Sequence, residues 1–200
     1  MIRLSINVMA FISGFSIMAV EMLGGRILAP WFGASIYIWG SIISTFLVAL
    51  AIGYLIGGKL SLHNPSLRRY GYLFLSAGIS LLPVILYAET LIALTYQITD
   101  DPRYGSLIAS FLLFFIPAVI LGMIAPYSIR LLVTSEQTSG FSAGILYFIS
   151  TLGSALGTIG TAFYFVLYFE INHIILSTSF AVMLPGIICV FSKWRPNDAH

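Results

Sequence analysis

The stretch EMLGGRILAPWFG, residues 21–33, contains the most informative polar residues of the chain. It follows a hydrophobic N-terminal segment and places a carboxylate, a glycine pair, an arginine and a proline near the end of that segment. Ionisable groups at membrane depth are unfavourable and commonly face a bundle interior or a water-filled cavity. Glu21 and Arg26 are therefore the first candidates for a substrate- or ion-binding site.

The spacing of these two charges limits how they can interact. Five positions put their side chains about 140° apart around a continuous helix, so they pair poorly along one face. Two arrangements remain open. Either Gly24 and Gly25 break the helix and act as a hinge, or Glu21 and Arg26 each find a partner on another helix.

The composition defines the class of protein. Hydrophobic residues make up 59% of the 200 residues and charged residues only 8%, whereas an ordinary soluble domain has about 25% charged residues. The apolar runs are roughly 20 residues long, which is the helix length needed to cross the hydrocarbon of a bilayer. We predict an all-α, polytopic protein of the inner (cytoplasmic) membrane. A retained first helix is expected, since no small-residue cleavage site precedes the second span.

Six spans can be drawn, over residues 4–27, 36–60, 70–95, 104–133, 141–169 and 172–191. We expect residues 1–192 to form one six-helix bundle and residues 193–200 a short cytoplasmic tail. Seven of the nine basic residues fall on one side of the membrane in this scheme, and only Arg26 and Arg103 fall on the other. The positive-inside rule then puts both termini in the cytoplasm.

Acidic and aromatic residues collect on the side opposite to the basic ones. The acidic residues are Glu21, Glu89, Asp100, Asp101 and Glu170, and the aromatic residues include Tyr37 and Trp39. One interpretation is an aromatic belt with solvated carboxylates. The other is an electronegative vestibule that attracts organic cations by its field and by cation–π contacts. In the second case Tyr37, Trp39 and Glu89 join Glu21 and Arg26 in a substrate- or ion-binding site.

Small residues and prolines predict where the helices pack or bend. Along the first span, Asn7, Ala10, Gly14, Glu21 and Gly25 form one stripe, which should face protein or a cavity. In the fifth span Gly153, Gly157 and Gly160 form a smooth groove for another helix. In the fourth span Pro126 is a candidate packing or hinge position, because proline frees a backbone carbonyl and bends the helix.

Metal, cofactor and nucleic-acid binding are not expected. Glu170 and His173 form a single Glu-x-x-His in a turn, whereas a di-metal bundle needs this motif in pairs with further carboxylates. The sequence also offers no paired nucleophile and base, so we expect no catalytic residues.

A faint internal repeat suggests an architecture. Residues 43–45 and 49–50 of the second span (IST and AL) match residues 149–151 and 155–156 of the fifth span at a constant offset. Those two spans run in opposite directions. Such 3+3 inverted repeats form each six-helix half of a major-facilitator transporter.

Four ordered stretches resemble one family. EMLGGRILAPWFGASIYIWG, LVALAIGYLIGGKL, LGMIAPYSIRLL and AGILYFISTLGSALGTIGT, within residues 21–161, resemble the membrane portion of the fused major-facilitator/spermidine synthase proteins. The resemblance implies half of a major-facilitator fold and a link to polyamines. No Gly-rich loop after a strand occurs in the chain, nor does an acidic pair suited to an aminopropyl acceptor. Aminopropyl transfer by this chain alone is therefore not expected.

Two functions are compatible with these observations. The first is a transporter-like protein that binds or moves small organic cations such as polyamines. It would work as a homodimer or with a partner protein, because six spans supply one wall of a facilitator cavity. The second is a non-transporting membrane anchor or assembly subunit for a separate aminopropyltransferase-like or redox partner. A water-accessible cavity at Glu21 favours the first, and a solid bundle with its charges at the interfaces favours the second.

The predicted topology can be tested by cysteine labelling. In a variant with Cys189 replaced by Ser, we expect an impermeant maleimide added to intact cells to modify Asp100→Cys but not Ser66→Cys, because the positive-inside rule places only residue 100 outside. Permeabilised cells, in which both positions should react, provide the control. Labelling of residue 66 in intact cells would overturn the topology.

Overall fold

A computed structural model of the chain describes residues 2–133 and 136–191, and its side chains over 3–133 and 139–191. All regular elements in these ranges are helices. Their bounds are α1 Ile2–Phe32, α2 Ile36–Ser61, α3 Leu67–Ile98, α4 Pro102–Leu132, α5 Glu136–Gly160, a π-helical turn Thr161–Phe165, α6 Val166–Tyr168 and α7 Ile171–Phe191. The predicted tail, residues 193–200, lies outside the described residues.

Six segments in the described part of the chain are long and apolar enough to cross a membrane. The fifth combines most of α5 with the π turn and α6, and the other five correspond to α1 to α4 and α7. The predicted all-α, six-span membrane architecture is therefore confirmed. Several helices extend beyond the predicted spans: α3, for example, begins at Leu67, where the side chain of Ser66 caps the helix by accepting a hydrogen bond from the backbone N–H of Arg69.

The first helix is continuous, so a break at Gly24 and Gly25, one of the two alternatives, does not occur. α1 runs without interruption to Phe32. The two glycines instead make room for neighbouring side chains, because a Cβ at Gly24 would lie 3.2 Å from the Phe114 ring and one at Gly25 would lie 3.0 Å from the Trp39 ring. Glycine destabilises a helix interior by only about 0.5–1 kcal/mol relative to alanine, which contacts with neighbouring helices can offset. α4 likewise continues through Pro117 and Pro126.

Two helix pairs are built on the same small-residue motif. In α2, a Cβ at Gly53 or Gly57 would overlap the backbone oxygen of Val119 or Met123 in α4. In α5, a Cβ at Gly153 or Gly157 would overlap the backbone oxygen of Phe11 or Phe15 in α1. Within each pair, the numbers of the contacting residues rise in the same direction along both helices. α2 is therefore parallel to α4, and α5 is parallel to α1. The predicted packing role of Gly153 and Gly157 is confirmed, and α1 occupies their groove.

A third major contact joins α3 and α7, which cross in opposite directions. Their backbones approach at Gly71 and Gly186, where a Cβ on either glycine would lie within 3 Å of the other's carbonyl oxygen. Further along, the Ser179 hydroxyl donates to the Gly78 carbonyl at 2.8 Å. Close backbone approach and interhelical hydrogen bonds are the interactions expected where lipid gives helices no hydrophobic reason to associate.

Hydroxyl groups also connect α2 to α4. The side chains of Ser41 and Ser106 lie 2.8 Å apart, and those of Thr45 and Ser110 lie 3.3 Å apart, each pair within hydrogen-bond distance. All four side chains are buried. Near the other end of α4, the Tyr127 hydroxyl accepts a hydrogen bond from the backbone N–H of Ser66 at 3.1 Å. These contacts fix α2, α4 and the start of α3 relative to one another.

The adjacent glycines of α2 offer a matched test of this packing. Gly57→Ala should lower the free energy of unfolding by about 1–3 kcal/mol, because the added methyl group overlaps the α4 backbone. Gly58→Ala should leave stability unchanged or slightly higher, since nothing lies within 4 Å of its Cβ position and alanine favours the helix. Thermal unfolding in detergent measures both, and equal melting temperatures for the two variants would contradict the packing described here.

Candidate functional site

Glu21 lies on the inward face of α1. Only 8% of its surface is exposed, and Ala10, Gly14 and Gly25 of the same predicted stripe are buried with it. The inward orientation of these four residues is therefore confirmed, while Asn7 is half-buried. The part of the chain that the structure describes supplies no ion-pair partner for Glu21. A buried carboxylate without a cationic neighbour is unfavourable unless it is protonated or binds a cation.

The neighbours of the stripe show which helices this side of α1 faces. Gly14 packs on Ser150 of α5, whose neighbour Ser154 donates a hydrogen bond to the Gly14 carbonyl at 3.2 Å. Gly25 packs on the Trp39 ring of α2. On a regular helix Glu21 lies within about 20° of Gly14 and about 40° of Gly25 around the axis. The side of α1 that carries Glu21 therefore faces α5 and the first turns of α2.

The π turn of the fifth span lies at the same depth. Phe11 contacts Gly153, and Phe15 contacts Gly157 one turn later. One further turn along both helices places Ala19 beside Thr161. Glu21 then lies about 3 Å further along the helix axis. Thr161 is fully buried, and its side-chain hydroxyl has no hydrogen-bond partner among the described residues. Single π turns inside α-helices are rare and frequent at functional sites. Thr161 therefore joins Glu21 and Trp39 in the candidate site.

Arg26 is placed differently. It is exposed, as a 140° separation from Glu21 on a continuous helix requires, and it has no ion-pair partner in residues 3–133 and 139–191. The expectation that neighbouring helices supply partners for both charges is therefore not met. The structure separates the two charges and brings only Glu21 into the bundle.

Tyr37 belongs to a second group of residues, at the start of α2 and α4 at this end of the bundle. The Arg103 side chain forms an ion pair with Asp101 at 2.8 Å, and its guanidinium lies 5.7 Å from the centre of the Tyr104 ring. Tyr37 lies close enough to Arg103 for an electrostatic interaction. Hydrogen bonds from the side chain and backbone N–H of Arg103 lower the pKa of Asp101 below its ordinary value. This carboxylate thus has its own cation.

Glu89 is an exposed residue of α3, without an ion-pair partner in the described ranges. The five predicted binding residues are therefore distributed over three environments. Glu21 is buried, and the partly exposed Trp39 packs on Gly25 one turn further along α1. Tyr37 is exposed near Arg103, and Arg26 and Glu89 are exposed elsewhere. The predicted Glu170–His173 motif forms an exposed contact of 3.7 Å.

Sequence reasoning missed Thr161 and the hydroxyl pairs between α2 and α4. The hydroxyl pairs carry a usable signal, since Ser41 and Thr45, like Ser106 and Ser110, are polar residues one helical turn apart in apolar spans. Thr161 carries none, because a π turn depends on backbone geometry that the surrounding residues TAFYF do not reveal. Comparison of the chain with known protein families, characterised proteins and solved structures gave no significant match.

The hydroxyl of Thr161 gives a testable consequence. Thr161→Val should leave the protein as stable or more stable, because it replaces a buried hydroxyl without a partner by a methyl group of similar shape. Thr158→Val is the matched control one turn earlier. Its hydroxyl donates to the Ser154 carbonyl at 3.0 Å, and losing that bond should lower stability by about 0.5–1.5 kcal/mol. Thermal unfolding measures both variants. A large fall in melting temperature for Thr161→Val alone would contradict a Thr161 hydroxyl without a hydrogen-bond partner.

Proposed function

We propose that this chain is a transporter-like membrane protein that binds or moves small organic cations such as polyamines, with Glu21 as the cation- or proton-binding group. The observation that carries the proposal is the placement of Glu21, a buried carboxylate without an ionic partner among the described residues, on the side of α1 that faces α5 and α2. Intramembrane carboxylates facing a bundle interior mark ion and proton pathways in transport proteins. Trp39 of α2, which packs on Gly25 one turn further along α1, supplies an aromatic ring for an organic cation.

A 3+3 inverted repeat of the major-facilitator type is part of the proposal. In such a repeat the first three spans correspond in order to the last three. The principal helix pairs support this, because the α2–α4 pair then corresponds to the α5–α1 pair, and the α3–α7 pair corresponds to itself. The glycines support it too, since Gly53 and Gly57 correspond to Gly153 and Gly157 at an offset of 100 positions. The short sequence match described above has a different offset, so the packing glycines are the better guide to the equivalence.

A homodimer, or a complex with a second half from another protein, follows from the same architecture. The glycine groove of α5 is occupied by α1 and is not free to join two copies. The exposed faces of α2 and α5 are the better candidates. Tyr54 of α2 and Tyr147 of α5 are each about half exposed on these faces.

Polyamines are proposed as the cation class from the resemblance to fused major-facilitator/spermidine synthase proteins, together with the acidic end of the bundle. Glu89, Asp100 and Glu170 are exposed at that end, which should raise the local concentration of cations. The proposed location is the inner membrane with cytoplasmic termini, so this acidic end faces outward.

One group of observations favours the alternative, a membrane anchor for a separate aminopropyltransferase-like or redox partner. Most charges in the described ranges lie at the ends of the bundle, including Arg26 and Glu89, and do not line its interior. A bundle whose role is to hold a partner at the membrane needs no internal charge. Glu21 is the residue that this alternative leaves without a role.

Glu21→Gln separates the two functions. It keeps the shape and polarity of the side chain but removes its charge, so we expect binding of radiolabelled spermidine to the purified protein to fall at least tenfold while the melting temperature stays within a few degrees. Arg26→Gln, at an exposed position on the same helix, should change neither quantity. Unchanged spermidine binding with a large fall in melting temperature for Glu21→Gln would identify the residue as a structural brace and favour the anchor.

A further inference from the structure

An open groove lies between the end of α2 and the beginning of α3, at the opposite end of the bundle from Glu21. Its volume is about 840 Å³, and it is lined by Ile56, Lys59, Leu60, His63, Arg69, Tyr72, Leu73 and Ser76. Neither the candidate site nor the proposed transport function uses these residues. The lining combines cationic side chains with a mostly apolar wall.

The cations of this groove have no acidic neighbour along the chain. No Asp or Glu occurs between Glu21 and Glu89, and neither Lys59 nor Arg69 has an ion-pair partner among the residues that the structure describes. Arg69 donates one hydrogen bond from Nη1 to the His63 carbonyl. A guanidinium has five N–H donors in all, so Arg69 keeps donors for an anion.

The groove changes from charged to apolar along the helix axes. His63 lies in the connection, Arg69 and Lys59 lie in the adjoining turns, and Ile56 and Ser76 lie deeper in the spans. Seven residues of helix separate Arg69 from Ser76, which corresponds to roughly 10 Å. Leu60 and Tyr72 are 40% and 48% exposed. The groove therefore presents positive charge at the end of the bundle and an open apolar surface toward the membrane interior.

The connection above the groove is held in one conformation. The Ser61 hydroxyl donates to the Gly58 carbonyl at 2.7 Å, and the backbone N–H of Leu62 donates to the Lys59 carbonyl at 3.2 Å. The Tyr127 hydroxyl of α4 accepts from the Ser66 N–H. Asn64 turns the chain with a positive φ of 46°, a conformation that asparagine tolerates better than most residues. The backbone that carries the cations is thus preorganised and loses little freedom on binding.

From this arrangement we infer that the groove binds an anionic glycerophospholipid. Its phosphate lies against Lys59 and Arg69, and one acyl chain lies along Ile56, Leu60 and Leu73. Charge complementarity selects an anionic head group, and the apolar wall selects a ligand with a hydrocarbon chain over a free anion. Basic pockets between transmembrane helices bind lipid phosphates by this combination. The inference is independent of the proposed transport function.

Native mass spectrometry of the full chain in a mild detergent tests the inference. Phosphatidylglycerol and phosphatidylcholine with the same acyl chains serve as probes, and glycerol 3-phosphate serves as the water-soluble competitor. We expect retention of one phosphatidylglycerol in preference to phosphatidylcholine, and little displacement by millimolar glycerol 3-phosphate. Lys59→Gln should weaken phosphatidylglycerol binding about fivefold, the contribution expected of one surface cation. Leu60→Asn should also weaken phosphatidylglycerol binding, because it replaces part of the apolar wall by a polar side chain.

Arg130→Gln is the matched control, because Arg130 is exposed in the last turn of α4 and does not line the groove. It should leave phosphatidylglycerol binding unchanged. Lys59→Gln is preferred to an Arg69 variant, since Arg69 also holds the connection through His63. Equal retention of the two lipids, or equal weakening by Lys59→Gln and Arg130→Gln, would overturn the inference. Full displacement by glycerol 3-phosphate would overturn it too and indicate a site for free anions.

Discussion

Close backbone contact between parallel helices is the interaction on which the rest of this structure depends. Lipid tails are as apolar as the side chains, so helices in a membrane gain little from burying hydrophobic surface and must gain from tight packing and hydrogen bonds. Gly53 and Gly57 of α2 provide that packing against α4, and Gly153 and Gly157 of α5 provide it against α1. Hydroxyl pairs such as Ser41 with Ser106 add hydrogen bonds in the α2–α4 interface.

This packing also creates the setting of Glu21. Because α5 lies tightly and in parallel register on α1, the side of α1 that carries Gly14 and Glu21 faces protein, and the carboxylate is buried. The π turn at Thr161 interrupts regular helix geometry at the same depth. A polar position of this kind has an energetic cost in a membrane protein, which makes a role in binding a cation or a proton the economical explanation.

The two ends of the bundle differ in chemistry. The end with Lys59 and Arg69 carries cations beside exposed apolar surface, which suits contact with lipid phosphates. The end with Glu89, Asp100 and Glu170 is acidic and solvent-facing, and its Asp101–Arg103 pair is neutralised within the connection. In the proposed orientation, an external solute would meet the acidic end first, and the basic end would contact lipid head groups on the cytoplasmic side.

The sequence by itself determined the class of protein, the six spans and the inward stripe containing Glu21, because apolar run length and helical periodicity are local properties. It also indicated that Gly153 and Gly157 pack closely, but it left their partner open. Only the tertiary structure decided that the partner is α1, that Gly24 and Gly25 do not break the helix, that Arg26 lies outside, and that Lys59 and Arg69 share a groove. These outcomes depend on which residues of other helices fill the space around each position, and a single sequence does not specify that.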